Sequence, residues 1–412
     1  MSFCATQDTA SDVGKTTSMT SLDHYRNQYR AALLDDCIPF WEKHCPDRDY
    51  GGYFTCLDRD GTVYDTEKFM WMQWRIVWMF SELCSKLGTR TEWLDIARLG
   101  YDFLTTHGKD DKGRYYFALS REGRPTMAPY SVYSDCFAVM GAAAYYRVSG
   151  DEAARREALR AYNSYLSREH RPKGEWTKEL EGRPPMRKLG FYMMKANLLA
   201  VLEECLSDPT FRAEALATVR YVLGTFWNPD MKVMFEFVRA DGSFDLESMQ
   251  GRHLTPGHAL EAMWFIMNSA YRAGETQLVE RAADVVRATL DFGWDPEYGG
   301  IYYFMDALGK PHVELQWNMK LWWVHNEALV ATAMAHQLTG REEFADWFTR
   351  IHEWSWPRFA DPEYGEWFAY LDRYGTPTHT LKGGKWKTFF HHPRMLLVCS
   401  MLFEHTWFKK TS

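Results

Sequence analysis

The sequence predicts an all-α toroid of six helix pairs, an (α/α)6 barrel with short β-hairpin loops at one end. Two observations predict it. The first is a weak motif that occurs six times: turn residues, a glycine, alternating aromatics and a second turn. Its copies run Y-G-G-Y-F-T-C-L-D-R-D-G from Tyr50, K-G-R-Y-Y-F-A-L-S-R-E-G from Lys112 and K-G-E-W-T-K-E-L-E-G from Lys173. They continue with a degenerate M-K-V-M-F-E-F-V-R-A-D-G from Met231, Y-G-G-I-Y-Y-F-M-D-A-L-G from Tyr298 and Y-G-E-W-F-A-Y-L-D-R-Y-G from Tyr364. The anchors Gly51, Gly113, Gly174, Lys232, Gly299 and Gly365 are 58 to 67 residues apart by subtraction of their positions. Glycine-bounded alternating rings read as hairpins or extended loops, and a near-constant period reads as a repeat architecture. The second observation is that two helical apolar patterns fall in each interval.

Taken in order, residues 1–20 are Ser/Thr/Asp-rich and unpatterned, which predicts a disordered tail. Residues 21–412 are expected to form one (α/α)6-barrel domain. Helices are expected over 22–45, 67–87, 91–107, 132–149, 151–169, 189–206, 210–227, 257–273, 276–292, 318–339, 341–356 and 391–409. Gly150-Asp151, Asp208-Pro209 and Gly340 punctuate several of them, and Pro393 is tolerated in a first helical turn. The even-numbered helices, each following a hairpin, are expected to form one ring.

Composition narrows the function classes. Apolar residues make up 46% and charged residues 25%, a globular balance, and the net charge of −7 argues against general nucleic-acid binding. No apolar run reaches bilayer-spanning length. Eight cysteines without a C-x-x-C pair, and no signal-peptide pattern, predict reduced thiols and a cytoplasmic protein. The 18 Trp, 23 Tyr and 25 Phe could serve a large core, but rings in a polar cleft are also platforms for sugars.

Polar residues with chemical potential gather on even helices, which implies a lined central cavity. Arg75 stands among bulky neighbours in W-M-Q-W-R-I-V-W-M-F, and burying it unpaired is costly. P-G-H-A-L-E-A-M-W puts His258 and Glu261 three apart on one helical face. N-M-K-L-W-W-V-H-N-E-A-L offers Lys320, His325 and Glu327. His325 and Glu327 are two apart and point to nearly opposite sides, so Trp323 and Glu327, four apart, are favoured as the cavity-lining pair. The stretch K-G-G-K-W-K-T-F-F-H-H-P-R-M-L-L from Lys382 carries Trp386 and sets His391 at the mouth of a helix. Histidine suits proton transfer near neutral pH.

There is no G-x-S-x-G and no G-K-[ST] ending, so no serine-nucleophile or Walker A reading stands; without an H-E-x-x-H, the wide sequence separation of the candidates makes a zinc site a minor option. Two facing bases suit proton abstraction and return on opposite faces of one carbon, and an arginine beside them could stabilise an enolate. That is racemase or epimerase chemistry next to a carbonyl. Rival readings are an aldose–ketose isomerase or mannose 2-epimerase on an unacetylated sugar, a glycoside hydrolase using Glu261 and Glu327, and a non-catalytic sugar- or protein-binding module.

These stretches, with G-W-D-P-E-Y-G-G-I-Y-Y-F and D-P-E-Y-G-E-W-F-A-Y-L, resemble the N-acylglucosamine 2-epimerase family, whose vertebrate members are also called renin-binding proteins, over nearly the full length after the tail. The resemblance implies interconversion of N-acetylglucosamine and N-acetylmannosamine through the ring-opened sugar. It implies His258 and His391 as the two bases and Arg75 as the enolate-stabilising arginine. Glu261 and Glu327 fall on hydroxyl-binding or histidine-orienting carboxylates, and Trp323 and Trp386 on ring-contacting aromatics. It also implies a homodimer, no metal, and ATP as an effector that is not consumed. Thr388 and His392 depart from the family's K-G-x-F-H-V-P-R pattern, which puts the ATP effect in question. The sixth helix reads K-A-N-L-L-A-V-L-E without the histidine pair of cellobiose 2-epimerases, which argues against the disaccharide branch and leaves Asn197 as a cavity candidate.

Overall fold

The computed structural model describes residues 22–180, 182 and 184–409; the expected disordered tail lies outside them. Among the described residues twelve long helices run in pairs between the motif copies; five copies turn as hairpins, whereas the copy from Lys173, expected as a sixth, is a 3-10 turn over Gly174–Trp176 with no strand pairing of its own. The first, α1, is four consecutive helical segments, Asp23–Tyr25, Arg26–Ala31, Ala32–Cys37 and Ile38–His44, of which Ala32–Cys37 is a π turn. The others are α2 Met70–Leu87, α3 Thr91–His107, α4 Val132–Ser149, α5 Glu152–Ser167, α6 Leu189–Leu206, α7 Phe211–Thr225, α8 Pro256–Arg272, α9 Thr276–Gly293, α10 Trp322–Thr339, α11 Glu342–Phe359 and α12 His391–Phe403. Three of the twelve expected ranges coincide with the observed ones at both ends.

The even helices form the inner ring, as expected. α2 packs on α4, α4 on α6, α6 on α8, α8 on α10 and α10 on α12. Aromatic contacts close the circle: Phe390 meets Trp78 at 5.2 Å and Phe389 meets Phe80 at 4.9 Å. The inner helices are apolar nearly all round, as α12 shows with every residue buried, because they face neighbours on both sides and the outer helices behind. All seven described cysteines are buried free thiols.

Two expected helix starts are corrected. Residues 67–69 and 318–321 do not begin α2 and α10. Lys68–Phe69 and Lys320–Leu321 are strands instead, paired antiparallel with Ala118–Leu119 and Tyr370–Leu371 of the next hairpins. Met186–Lys188 and His253–Leu254 enter α6 and α8 in the same way, against Phe237–Arg239 and Met305–Asp306. Cross-strand pairing overrides the local helical pattern and sets where each inner helix begins, and so where its first-turn side chains point.

We number the hairpins, and the Lys173 turn that stands in the third place, 1–6 by the motif copies, from Tyr50, Lys112, Lys173, Met231, Tyr298 and Tyr364. Three joints between hairpins share one construction. An aspartate four residues before the turn glycine (Asp47, Asp295 or Asp361) binds a lysine whose side chain is 0% exposed: Lys68 at 2.9 Å, Lys320 at 3.1 Å and Lys382 at 2.8 Å. The same aspartates bind an arginine of the adjoining hairpin: Arg121, Arg373 and Arg59. Each arginine also lies over the tyrosine of the turn, Tyr50, Tyr298 or Tyr364, at 4.8 to 4.9 Å. Arg59 of hairpin 1 reaching Asp361 of hairpin 6 closes the ring at this end. Lys320, one of the polar residues that the sequence offers for the cavity, belongs to this framework instead.

Candidate active site

The hairpin end leads to a cluster assembled by α2, α8, α10, α12 and hairpin 4. His391 opens α12, and its Nδ1 lies 2.7 Å from Glu327 Oε1 on α10. A carboxylate only accepts, so Nδ1–H donates to it and Nε2 keeps its lone pair. Glu327 Oε2 accepts from Trp264 Nε1 at 2.7 Å, which fixes the carboxylate on both sides. Arg394, one turn along α12, donates from Nη2 to Glu327 Oε1 at 2.7 Å and to Glu261 Oε1 at 2.6 Å. These groups are buried, and the guanidinium between two carboxylates answers the cost of burying them. Burial, with Arg75 and Arg394 close by, pushes the His391 imidazole well below its ordinary range, so it is a neutral base at pH 7.

His258, in the first turn of α8, faces the same space. Its Nδ1 lies 2.9 Å from Glu236 Oε2 of hairpin 4, and its side chain is 27% exposed. Burial raises the Glu236 carboxyl, but His258 and Lys188 outweigh this and hold it at about 2. The indole of Trp323 stands beside both imidazoles, 5.4 Å from His258 and 5.7 Å from His391. Gly257 makes room for it: a Cβ there would lie 2.6 Å from the indole.

Arg75 comes from α2, its guanidinium over Phe137 at 4.1 Å, Phe390 at 4.6 Å and Trp71 at 4.7 Å. Burial lowers it to about 9, and its Nε has no hydrogen-bond partner. An unpaired donor on a buried cation beside a neutral base is suited to an oxygen that gains negative charge.

The sequence candidates divide. His258, His391, Arg75, Glu261, Glu327 and Trp323 come together. Trp386 lies at the rim, 53% exposed and edge-on to Trp71 at 5.3 Å. Asn197 is buried on α6, where its amide nitrogen contacts Met140 Sδ of α4 at 3.6 Å. His258 and Glu261, on one helical face by their spacing, take separate partners: Glu236 holds His258 and Arg394 holds Glu261. His325 points away from the cavity: Nε2 accepts from Ile301 N at 3.0 Å, Nδ1 donates to Leu321 O at 2.8 Å, and the ring stacks on Trp354. Glu236, Arg394 and Trp264 were missed. Arg394 had a signal, a cation in a first helical turn where the dipole disfavours it.

Two readings lose ground on geometry. Glu261, Glu327 and His391 offer ligand atoms within 4.8 Å of one another, but the Arg394 guanidinium holds both carboxylates where a metal ion would bind. The same clamp keeps the two carboxylates too close for an inverting hydrolase, whose carboxyls stand about 6.5–9.5 Å apart.

A sequence profile described as N-acylglucosamine 2-epimerase (GlcNAc 2-epimerase) matches residues 52–394. The chain belongs to that family. N-acylglucosamine 2-epimerase of Bos taurus is 37% identical over 390 residues, 91% of this chain and 90% of its own. Among solved structures, cellobiose 2-epimerase from Bacillus thermoamylovorans B4167 superimposes with a TM-score of 0.79 at 22% identity, over 92% of this chain and 99% of that one. A D-mannose isomerase does so with a TM-score of 0.79 at 19% identity, over 93% of this chain and 99% of that one. These two likenesses establish the toroid. The family membership makes the protein an isomerase of the epimerase kind. No described helix is long and apolar enough to cross a membrane.

Proposed function

We propose that this epimerase interconverts N-acetylglucosamine and N-acetylmannosamine by two-base proton transfer at C2 of the ring-opened sugar. The observation that carries the reading is a pair of carboxylate-oriented imidazoles, His258 and His391, that both lie against one indole. One imidazole Nε2 takes the C2 proton, and the electron pair moves into a C1–C2 enolate whose oxygen Arg75 holds. The other imidazole, protonated, returns a proton to the opposite face and regenerates the aldehyde. Glu327 and Glu236 orient the rings and stabilise each imidazolium as it forms. Glu261 holds Arg394, which holds Glu327. The N-acetyl substrate follows the named function of the Bos taurus relative. The protein acts as a cytoplasmic homodimer with ATP as an unconsumed effector, as the family resemblance implies.

Proton NMR of the purified protein with N-acetylglucosamine in D2O, with and without ATP, tests this. N-acetylmannosamine carrying deuterium at C2 is expected. Turnover of mannose or glucose alone moves the protein to an unacetylated-sugar isomerase, equal rates with and without ATP remove the effector, and sedimentation of the same sample reports the dimer.

A further inference from the structure

Glu236 orients His258 through Oε2, while its other oxygen, Oε1, is buried and accepts no hydrogen bond. Leaving a buried carboxylate oxygen without a donor is costly, so such an atom marks a place where a ligand completes the structure. Two side chains from neighbouring inner helices surround it. Lys188, the residue before α6, brings its ammonium to 4.0 Å, beyond hydrogen-bond reach. Tyr133, in the first turn of α4, approaches across Gly190. A Cβ on Gly190 would stand 2.8 Å from Tyr133 Oη, 3.6 Å from Glu236 Oε1 and 3.6 Å from Lys188 Cε. Gly190 is therefore the floor of a small polar recess, and the 43% exposure of the Lys188 side chain opens that recess to solvent.

We propose that Lys188 and Glu236 Oε1, with Tyr133 beside them, form a subsite for one hydroxyl of the open-chain sugar beyond C2, and that Lys188 is a specificity-determining residue. A carboxylate only accepts and an ammonium only donates, whereas a hydroxyl does both. Its O–H donates to Glu236 Oε1 and its oxygen accepts from Lys188 Nζ, which bridges the gap neither side chain closes alone. Arg75 lies against Phe390 beside His391 and over Phe137, one turn along α4 from Tyr133, and the proposed chemistry puts the C1 oxygen at its guanidinium. With the C1 oxygen taken by Arg75 and the acetamido nitrogen on C2, the hydroxyl held by Lys188 and Glu236 is one of those on C3–C6.

The inference rests on the substrate reading above, and one set of kinetics separates the two. kcat/KM is measured for N-acetylglucosamine and its 3-, 4-, 5- and 6-deoxy analogues with the wild type, Lys188→Met, Lys188→Arg and Tyr133→Phe. Wild-type turnover of the parent sugar reports on the substrate reading by itself. Lys188→Met is expected to lower kcat/KM for the parent sugar about 10- to 100-fold, the range for a charge-assisted hydrogen bond. One deoxy analogue shows a comparable loss with the wild type and no further loss with Lys188→Met, and Lys188→Arg recovers part of the rate. A merely structural lysine would slow every analogue alike. Additive losses for all four analogues, or unchanged kcat/KM in Lys188→Met, overturn the subsite.

Discussion

Hairpins 5, 6, 1 and 2 are joined by buried Asp–Lys pairs that partly exposed arginines cover, whereas turn 3 and hairpin 4 meet through a short strand pair and half-exposed side chains. In the first group Lys68 Nζ donates to Asp47, Gly51 O and Arg121 O, and Lys382 Nζ to Asp361, Gly365 O and Glu366 O. Lys68 and Lys382 thus use all three ammonium protons, and Lys320 Nζ donates to Asp295 and Gly300 O, which is what makes a buried charge tolerable. In the second group Met186–Lys188 pairs with Phe237–Arg239, Arg239 meets Asp245 with its side chain 43% exposed, and Lys188 is equally exposed. The two histidines divide along the same line. His391 is buried beneath the triad-bearing hairpins, and His258 is partly solvated beside hairpin 4. One half of the ring is a rigid floor that keeps a base neutral, and the other offers the substrate an accessible polar wall.

The strongest way to break this comparison is to remove each base. His391→Asn and His258→Asn should each lower the epimerisation rate by about 10²- to 10⁴-fold while cooperative unfolding persists. Exchange at C2 in D2O should then differ between the two sugars, because each variant keeps the base that serves one epimer. Near-wild-type turnover in either variant removes the two-base assignment.

The next effect is on stability. Asp361→Ala leaves Lys382 buried beside a lost counter-charge and should cost about 3–5 kcal/mol. Arg239→Ala, in the other half, should cost less than about 1 kcal/mol. Urea midpoints measure both, and similar values for the two would dissolve the distinction between the halves. Arg75→Lys follows, with a loss on the order of 10²-fold in kcat and little change in KM, because an ammonium does not reproduce the guanidinium fork around a developing oxyanion. A rise in KM alone would instead make Arg75 a ground-state binding group.

Most of the ring was legible because helical periodicity is local and the hairpins recur. α3, α4 and α6 occupy the residues their patterns indicate. The starts of α2 and α10 were not legible, since Lys68–Phe69 and Lys320–Leu321 are taken out of the helix by strands about 50 residues downstream in sequence. The site divides in the same way. Arg75, His258, Glu327 and His391 stood out as polar groups on apolar inner helices. Glu236 did not, because in F-E-F it alternates with aromatics like an outward strand residue, and only the assembled ring brings it to His258. Five motif copies showed their hairpins, the Lys173 copy is a 3-10 turn instead, and none showed the ion triads, whose members belong to different repeats.

The smallest effect concerns pH, and it tests whether the rigid half stays closed to protons. His325 lies under the Asp295–Lys320 triad, accepting from Ile301 N, and burial pushes it down to about 3. His392, stacked on Trp367, is pushed down to about 4 in the same way. Near pH 7 both are neutral in the folded and unfolded chain, and their favourable contribution is fully present. As pH falls below the unfolded value of about 6.5, the unfolded chain gains protons that the folded one refuses. Stability should therefore fall by up to about 1.4 kcal/mol per pH unit for each such histidine until the folded value is reached. Urea unfolding at pH 7, 6 and 5 should show this slope, and His325→Asn, although less stable at pH 7, should flatten it by one proton. An unchanged slope in that variant would mean that His325 takes up its proton in the folded ring, and that the triad-bearing half opens as readily as the half beside hairpin 4.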